Sequence, residues 1–211
     1  MDTTRTRDCR HCAKASAANP DPRLRAESSR QHCAGCCSIC GNMKTPLKIL
    51  TGIGLALGGI FGIAGTVVAS QNLRAVFWAL DATGVIVATS LLALMYFRKG
   101  NDCVAAGFLV YTIGEAVMLG GTAQTLVASV PAFAAGTALW SAGLVLVSVP
   151  KEFAMATRIA GLIGGLLFAI SSARIFWGEP LLPISKPLPT LGYPFLVLSF
   201  IGWIWALRKA N

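Results

Sequence analysis

The sequence predicts an all-α, polytopic integral membrane protein, a bundle of six transmembrane helices. Three observations carry that expectation. Only 13% of its 211 residues are charged, against about 25% in an ordinary soluble domain. The apolar residues gather in blocks near the ~20-residue length that spans a bilayer core as helix, and mean hydropathy is +0.64. The Lys and Arg residues stand mostly at the ends of those blocks, where loops on one membrane face carry them. A net charge of +9 placed in this way belongs to a membrane topology, and no nucleic-acid partner is expected.

Residues 1–46 differ from the rest. They hold eight Lys/Arg, four Asp/Glu, both histidines and six of the seven cysteines. Between Ala13 and Gln31 the only large aliphatic residue is Leu24, and Pro20 and Pro22 interrupt any helix. Such a segment is expected to be a disordered basic tail ahead of a transmembrane domain over 47–211. Within it, Cys9-x-x-Cys12 and Cys33-x-x-Cys36 are separated by 20 residues. Four thiolates in two such knuckles suit tetrahedral zinc, the one cofactor this sequence brings into view. Two other readings stand beside it. Met43-Lys44-Thr45-Pro46-Leu47-Lys48 has the form of a natural start, which makes 1–42 an upstream extension. From that start, the first apolar block and Val68-Ala69-Ser70 resemble a cleaved signal sequence, though the block is longer than a usual signal core.

Six apolar blocks follow, at 47–70, 75–97, 103–123, 126–149, 158–177 and 191–207. Each is long enough to span, and a backbone without water must satisfy itself as helix. With both termini in the cytoplasm, the inner face carries Lys44, Lys48, Arg98, Lys99, Lys151, Arg158, Arg208 and Lys209. The outer face then carries only Arg74, Arg174 and Lys186. That asymmetry orients the chain in a cell (inner) membrane. It places Trp78, Trp177 and Tyr193 in an outer aromatic belt, and Trp203 and Trp205 toward the inner one. The basic inner ends Arg98-Lys99, Pro150-Lys151 and Arg208-Lys209 recur in a rhythm that suggests three tandem helical hairpins. The last outer connection, with Pro180, Pro183, Pro187 and Pro189, is expected to run extended with polyproline character.

Small residues recur at four-residue steps: Gly54, Gly58 and Gly62 in the first span, Ala134, Ala138 and Ala142 in the fourth, and Gly161, Gly165, Ala169 and Ala173 in the fifth. Such ridges let helix backbones approach, and the first and fifth spans are the expected close pair.

Charges inside the spans mark the candidate site, because a carboxylate in hydrocarbon needs a partner, a proton or water. Asp81 is expected about 10 Å below the outer boundary and Glu115 about 13 Å below it, at 1.5 Å per residue. Arg174 is expected in the same half. These three, with Tyr111 and Thr112 one turn before Glu115, form a candidate buried polar or ion-binding cluster. A protonatable carboxylate pair beside an arginine suits proton-coupled transport or cation binding. The competing reading is an ion pair or shared proton that only fixes helix register.

Other chemistries lack their residues. No histidine occurs after His32, and no Ser-His pair, phosphate loop or dinucleotide fingerprint appears. A membrane-embedded enzyme is the least favoured class. The leading expectation is a small transporter, channel-like protein or transport accessory using the buried carboxylates. Its alternatives are a structural subunit whose small-residue faces bind a membrane partner or a second copy, and a metal or redox sensor working through the cysteine tail.

Overall fold

The computed structural model describes residues 45–179 and 181–209. The proposed zinc ligands Cys9, Cys12, Cys33 and Cys36, and the tail that carries them, lie outside the described residues. The described chain is all helical: α1 (Thr45–Val67), α2 (Gln71–Arg98), α3 (Asp102–Gly121), α4 (Val130–Ser148), α5 (Met155–Phe176) and α6 (Gly192–Lys209). The first five are long and apolar enough to cross a membrane. The last is 18 residues and ends on Arg208 and Lys209, so it has no fully apolar stretch of that length.

The helix ends follow from local chemistry. Ser70 and Asn101 cap α2 and α3, their side chains accepting from Leu73 N–H and Val104 N–H. Pro131 occupies the first turn of α4, where its missing N–H costs nothing. α2 and α5 end in the same way. Gly100 and Gly178 adopt φ of 72° and 95°. Asn101 N–H then reaches Tyr96 O, and Glu179 N–H reaches Arg174 O, closing Schellman turns.

Two arginines cap the preceding helix rather than their own. Arg74 donates to Gly65 O and Val68 O at the end of α1. Arg158 donates to Ser148 O and Val149 O at the end of α4, at 2.8 and 2.9 Å. A cation on orphan C-terminal carbonyls gains from both hydrogen bonding and the helix dipole. Arg158→Ala is therefore expected to lower stability by about 1–2 kcal/mol, part of the charged hydrogen-bond value being lost to exposure. Thermal unfolding in detergent reads this directly.

Each helix packs on its neighbours in sequence, and α6 closes on α1, so the six form a ring. The α1 ridge lies against α2, with Gly54 on the Gly84 backbone and Gly62 on Asp81. α1 and α5 are not neighbours. The expected pairing fails because each ridge is used against an adjacent helix: Gly165 of α5 faces Ser141 of α4, and Gly164 faces Phe195 of α6. In α4 the close-approach positions are Gly136 and Gly143, set on Gly114 O and Gly107 O of α3. Ala142, from the expected α4 ridge, is exposed.

The ring's outer surface is apolar, as at Ile60, Leu94, Leu109, Leu166 and Ile201. Its inside is aromatic. Tyr96, Phe108, Phe153, Phe200 and Trp203 are buried and in mutual ring contact; Phe108 and Trp203 centroids are 4.9 Å apart. Trp203 is only 1% exposed, so it is a core residue and not part of a belt. Tyr193 also turns inward, donating to Pro183 O at 2.8 Å. Trp177 remains fully outward at 85% exposure.

Candidate functional site

The aromatic filling stops partway along the ring. Beyond it lies a cavity of about 80 Å³, at the end of the bundle that carries connections 68–70, 122–129 and 177–191. Its floor is Tyr111, Trp140 and Phe200. Its rim includes Thr66, Thr122, Ser129 and Pro183. Asp81 and Glu115 both line it.

Each carboxylate is placed by helix packing. Asp81 projects from α2 onto the glycine face of α1, where a Cβ at Gly62 would lie 2.9 Å from Asp81 Oδ2 and one at Gly58 would lie 3.2 Å from Oδ1. A ridge without side chains gives the carboxylate its room. Glu115 is buried at 3% exposure on α3, between Gly114, which meets α4, and the cavity. The two carboxylates are near enough to interact electrostatically. Among the described residues neither has an ion pair; the ion pair found joins Arg174 and Glu179.

No protein-family model, curated protein or solved structure matches this chain.

The site therefore rests on its own geometry. Of the five residues expected from sequence, three meet in the cavity: Asp81, Glu115 and Tyr111. Thr112 turns to α2, where its hydroxyl lies 2.7 Å from Thr89 Oγ1, and each threonine also reaches its own i−4 carbonyl. Two hydroxyl protons serve these three contacts, pinning α2 to α3 beside the cavity. Arg174 stays outside, its Nε donating to Glu179 Oε2 at 2.7 Å. The Schellman turn at Gly178 folds Glu179 back over Arg174. No α5 residue lines the cavity, because Phe168 packs inward on Trp140 and Tyr193, at 5.2 and 5.8 Å between centroids.

Trp140 is the residue the sequence reading missed. Its ring stacks on Tyr111 at 5.5 Å and 4°, and both residues line the cavity with Glu115. Trp140 Nε1 and Tyr111 Oη are buried side-chain atoms with no hydrogen-bond partner. Buried polar atoms are nearly always paired, and these two belong to residues on the wall of one cavity. A usable sequence signal existed: Trp140 is a tryptophan in mid-span, away from the interfaces where that residue gathers.

The 177–191 connection forms turns instead of an extended polyproline run. Ser185 N–H bonds Leu182 O, Leu191 N–H bonds Pro187 O and Gly192 N–H bonds Pro189 O. The carbonyls of Leu182, Pro187 and Pro189 accept these bonds and fold the segment down, so Pro183 is buried and reaches the cavity wall. Tyr193→Phe is expected to release this segment from the rim, read as faster amide exchange at Ile184 and Ser185 with the helices unchanged.

Proposed function

We propose that this chain is a multi-pass membrane transport protein, or the binding subunit of one, that holds a cation between Asp81 and Glu115. The observation that carries the reading is two carboxylates on one internal cavity with no cationic partner among the described residues. Burying such groups is costly unless charge is supplied or removed, and a bound cation or proton supplies it. The aromatic floor supports one-sided access in this state, since Tyr111, Phe200 and Trp203 fill the ring below the cavity. Passage to the other face then requires that floor to move, as in alternating access, and argues against an open channel.

In this reading α6 is the sixth span. At about 27 Å, from 1.5 Å per residue, it approaches the ~30 Å of a bilayer core, and it presents Leu198, Ile201 and Trp205 outward. An even number of spans leaves both ends of the bundle domain in the cytoplasm and the cavity facing outward, in accord with the Lys/Arg asymmetry.

The test is flux in proteoliposomes of the full chain under an imposed cation or proton gradient. Glu115→Gln and Asp81→Asn are each expected to remove the flux, and Arg174→Gln to leave it unchanged. Undiminished flux in properly folded Glu115→Gln protein rules the reading out.

A further inference from the structure

Resting on that reading, we infer that the cavity takes a small organic ammonium ion bearing a hydrogen-bond acceptor. Its nitrogen sits between Asp81 and Glu115, and its carbon skeleton lies against the aromatic wall. Three features select this chemistry.

The first is the wall. Tyr111, Phe133, Trp140, Tyr193 and Phe200 line the cavity together with Trp78, whose ring already carries the Arg74 guanidinium at 5.9 Å. Ring faces attract cations, and organic ammonium ions, which desolvate more readily than metal ions, gain most from such a lining. A carboxylate pair inside an aromatic wall offers both charge and apolar contact to one ligand.

The second is the scarcity of hard oxygen ligands. A calcium site draws on six to eight oxygens and a magnesium site on six. Among the described residues, no third carboxylate, histidine or cysteine joins Asp81 and Glu115. The hydroxyls of Thr66, Thr122 and Ser129 belong to the rim.

The third is the pair of orphan atoms. Trp140 Nε1 is a donor only, so it has nothing to offer a metal ion or an ammonium group. Beside Tyr111 Oη, it calls for an acceptor atom on the ligand. A ligand with an ammonium at one end and a hydroxyl or ether oxygen at the other satisfies the carboxylates and the donors together. The room available, about 80 Å³, holds on the order of five water-sized groups, enough for a ligand of a few heavy atoms.

Isothermal titration of the full chain in nanodiscs, at constant ionic strength, compares ethanolammonium, ethylammonium, sodium and potassium chlorides. Ethanolammonium is ethylammonium with a hydroxyl acceptor added at the far carbon. Saturable binding is expected for both, tighter for ethanolammonium by about fivefold, the worth of one hydrogen bond. Trp140→Phe keeps a ring and removes the N–H, and it is expected to erase that preference while ethylammonium still binds. Glu115→Gln is expected to weaken both by roughly 30-fold, with Asp81→Asn as the second variant should the first fail to fold. If sodium or potassium binds in a Glu115-dependent way and the ammonium ions do not, the site is an inorganic cation site. This inference then falls while the proposed function stands. If no cation binds to folded protein, both fall. Equal affinities for the two ammonium ions, or an unchanged preference in Trp140→Phe, overturn the assignment of the orphan donors.

Discussion

Gly54→Val is expected to cost about 3 kcal/mol or more, the upper range for forcing extra atoms into a packed interface, and, under the proposed function, to abolish cation binding with it. A Cβ at position 54 would overlap the Gly84 carbonyl oxygen and press on Ala88 Cβ at 3.0 Å. Backbone cannot swing aside as a long side chain can, so α1 and α2 must separate. In lipid this matters more than in water, because close van der Waals contact replaces the hydrophobic drive between helices. The consequence reaches the cavity, because Asp81 lies on the same interface, held against Gly58 and Gly62. Gly52, two residues away, is the control. A Cβ there meets nothing within 4 Å, so Gly52→Ala is expected to be neutral or to stabilise by up to about 1 kcal/mol through helix propensity. Thermal unfolding of the two variants in the same detergent separates them. If Gly54→Val unfolds at the wild-type midpoint, the glycine ridge is not the packing interface.

The apolar spans were legible because hydrocarbon imposes one solution on an apolar run of this length; the helix caps at Ser70 and Asn101 and the turn at Gly100 emerged only with the structure. Rise per residue led to the expectation of Asp81 and Glu115 in one layer, and the two line one cavity. Facing was not legible. Hydrophobic patterning separates core from surface in water, but here Leu and Ile serve equally inside the ring and against lipid. That is why Gly54, Gly58 and Gly62 announced a close contact without naming α2 as its partner. Arg174 shows a different limit. Its depth was compatible with the carboxylates, yet Gly178-Glu179 supplied a nearer acid through a local turn. Local chemistry of that kind is readable, and it outranks a long-range pairing argued from depth alone. Tyr193 and Trp203 fail the belt expectation for the same reason as the facing: an aromatic near a helix end belongs to a belt only if it points outward.

Glu115→Gln is expected to stabilise the unliganded protein while removing its binding, and the opposed signs are the informative result. Wild type holds two carboxylates on one cavity, with no cation beside either among the described residues. Glutamine keeps the shape and removes the ionisable group. A gain of about 1–2 kcal/mol is typical when a binding site is relieved of such groups. Asp81→Asn is expected to move in the same direction. The double variant should gain less than the sum of the two, because the first substitution already removes the interaction between the carboxylates. Contacting or coupled residues depart from additivity by about 0.5–3 kcal/mol. A register-fixing role predicts the reverse: a carboxylate that serves the fold through satisfied contacts loses stability when it becomes an amide, in each single variant. Unfolding midpoints of the four proteins, measured with and without ethanolammonium, decide between these. Ligand-induced stabilisation follows the occupied fraction, so it should be present only in wild type at moderate concentration. Destabilisation by Glu115→Gln, with no ligand-dependent shift in wild type, would assign the carboxylates to architecture.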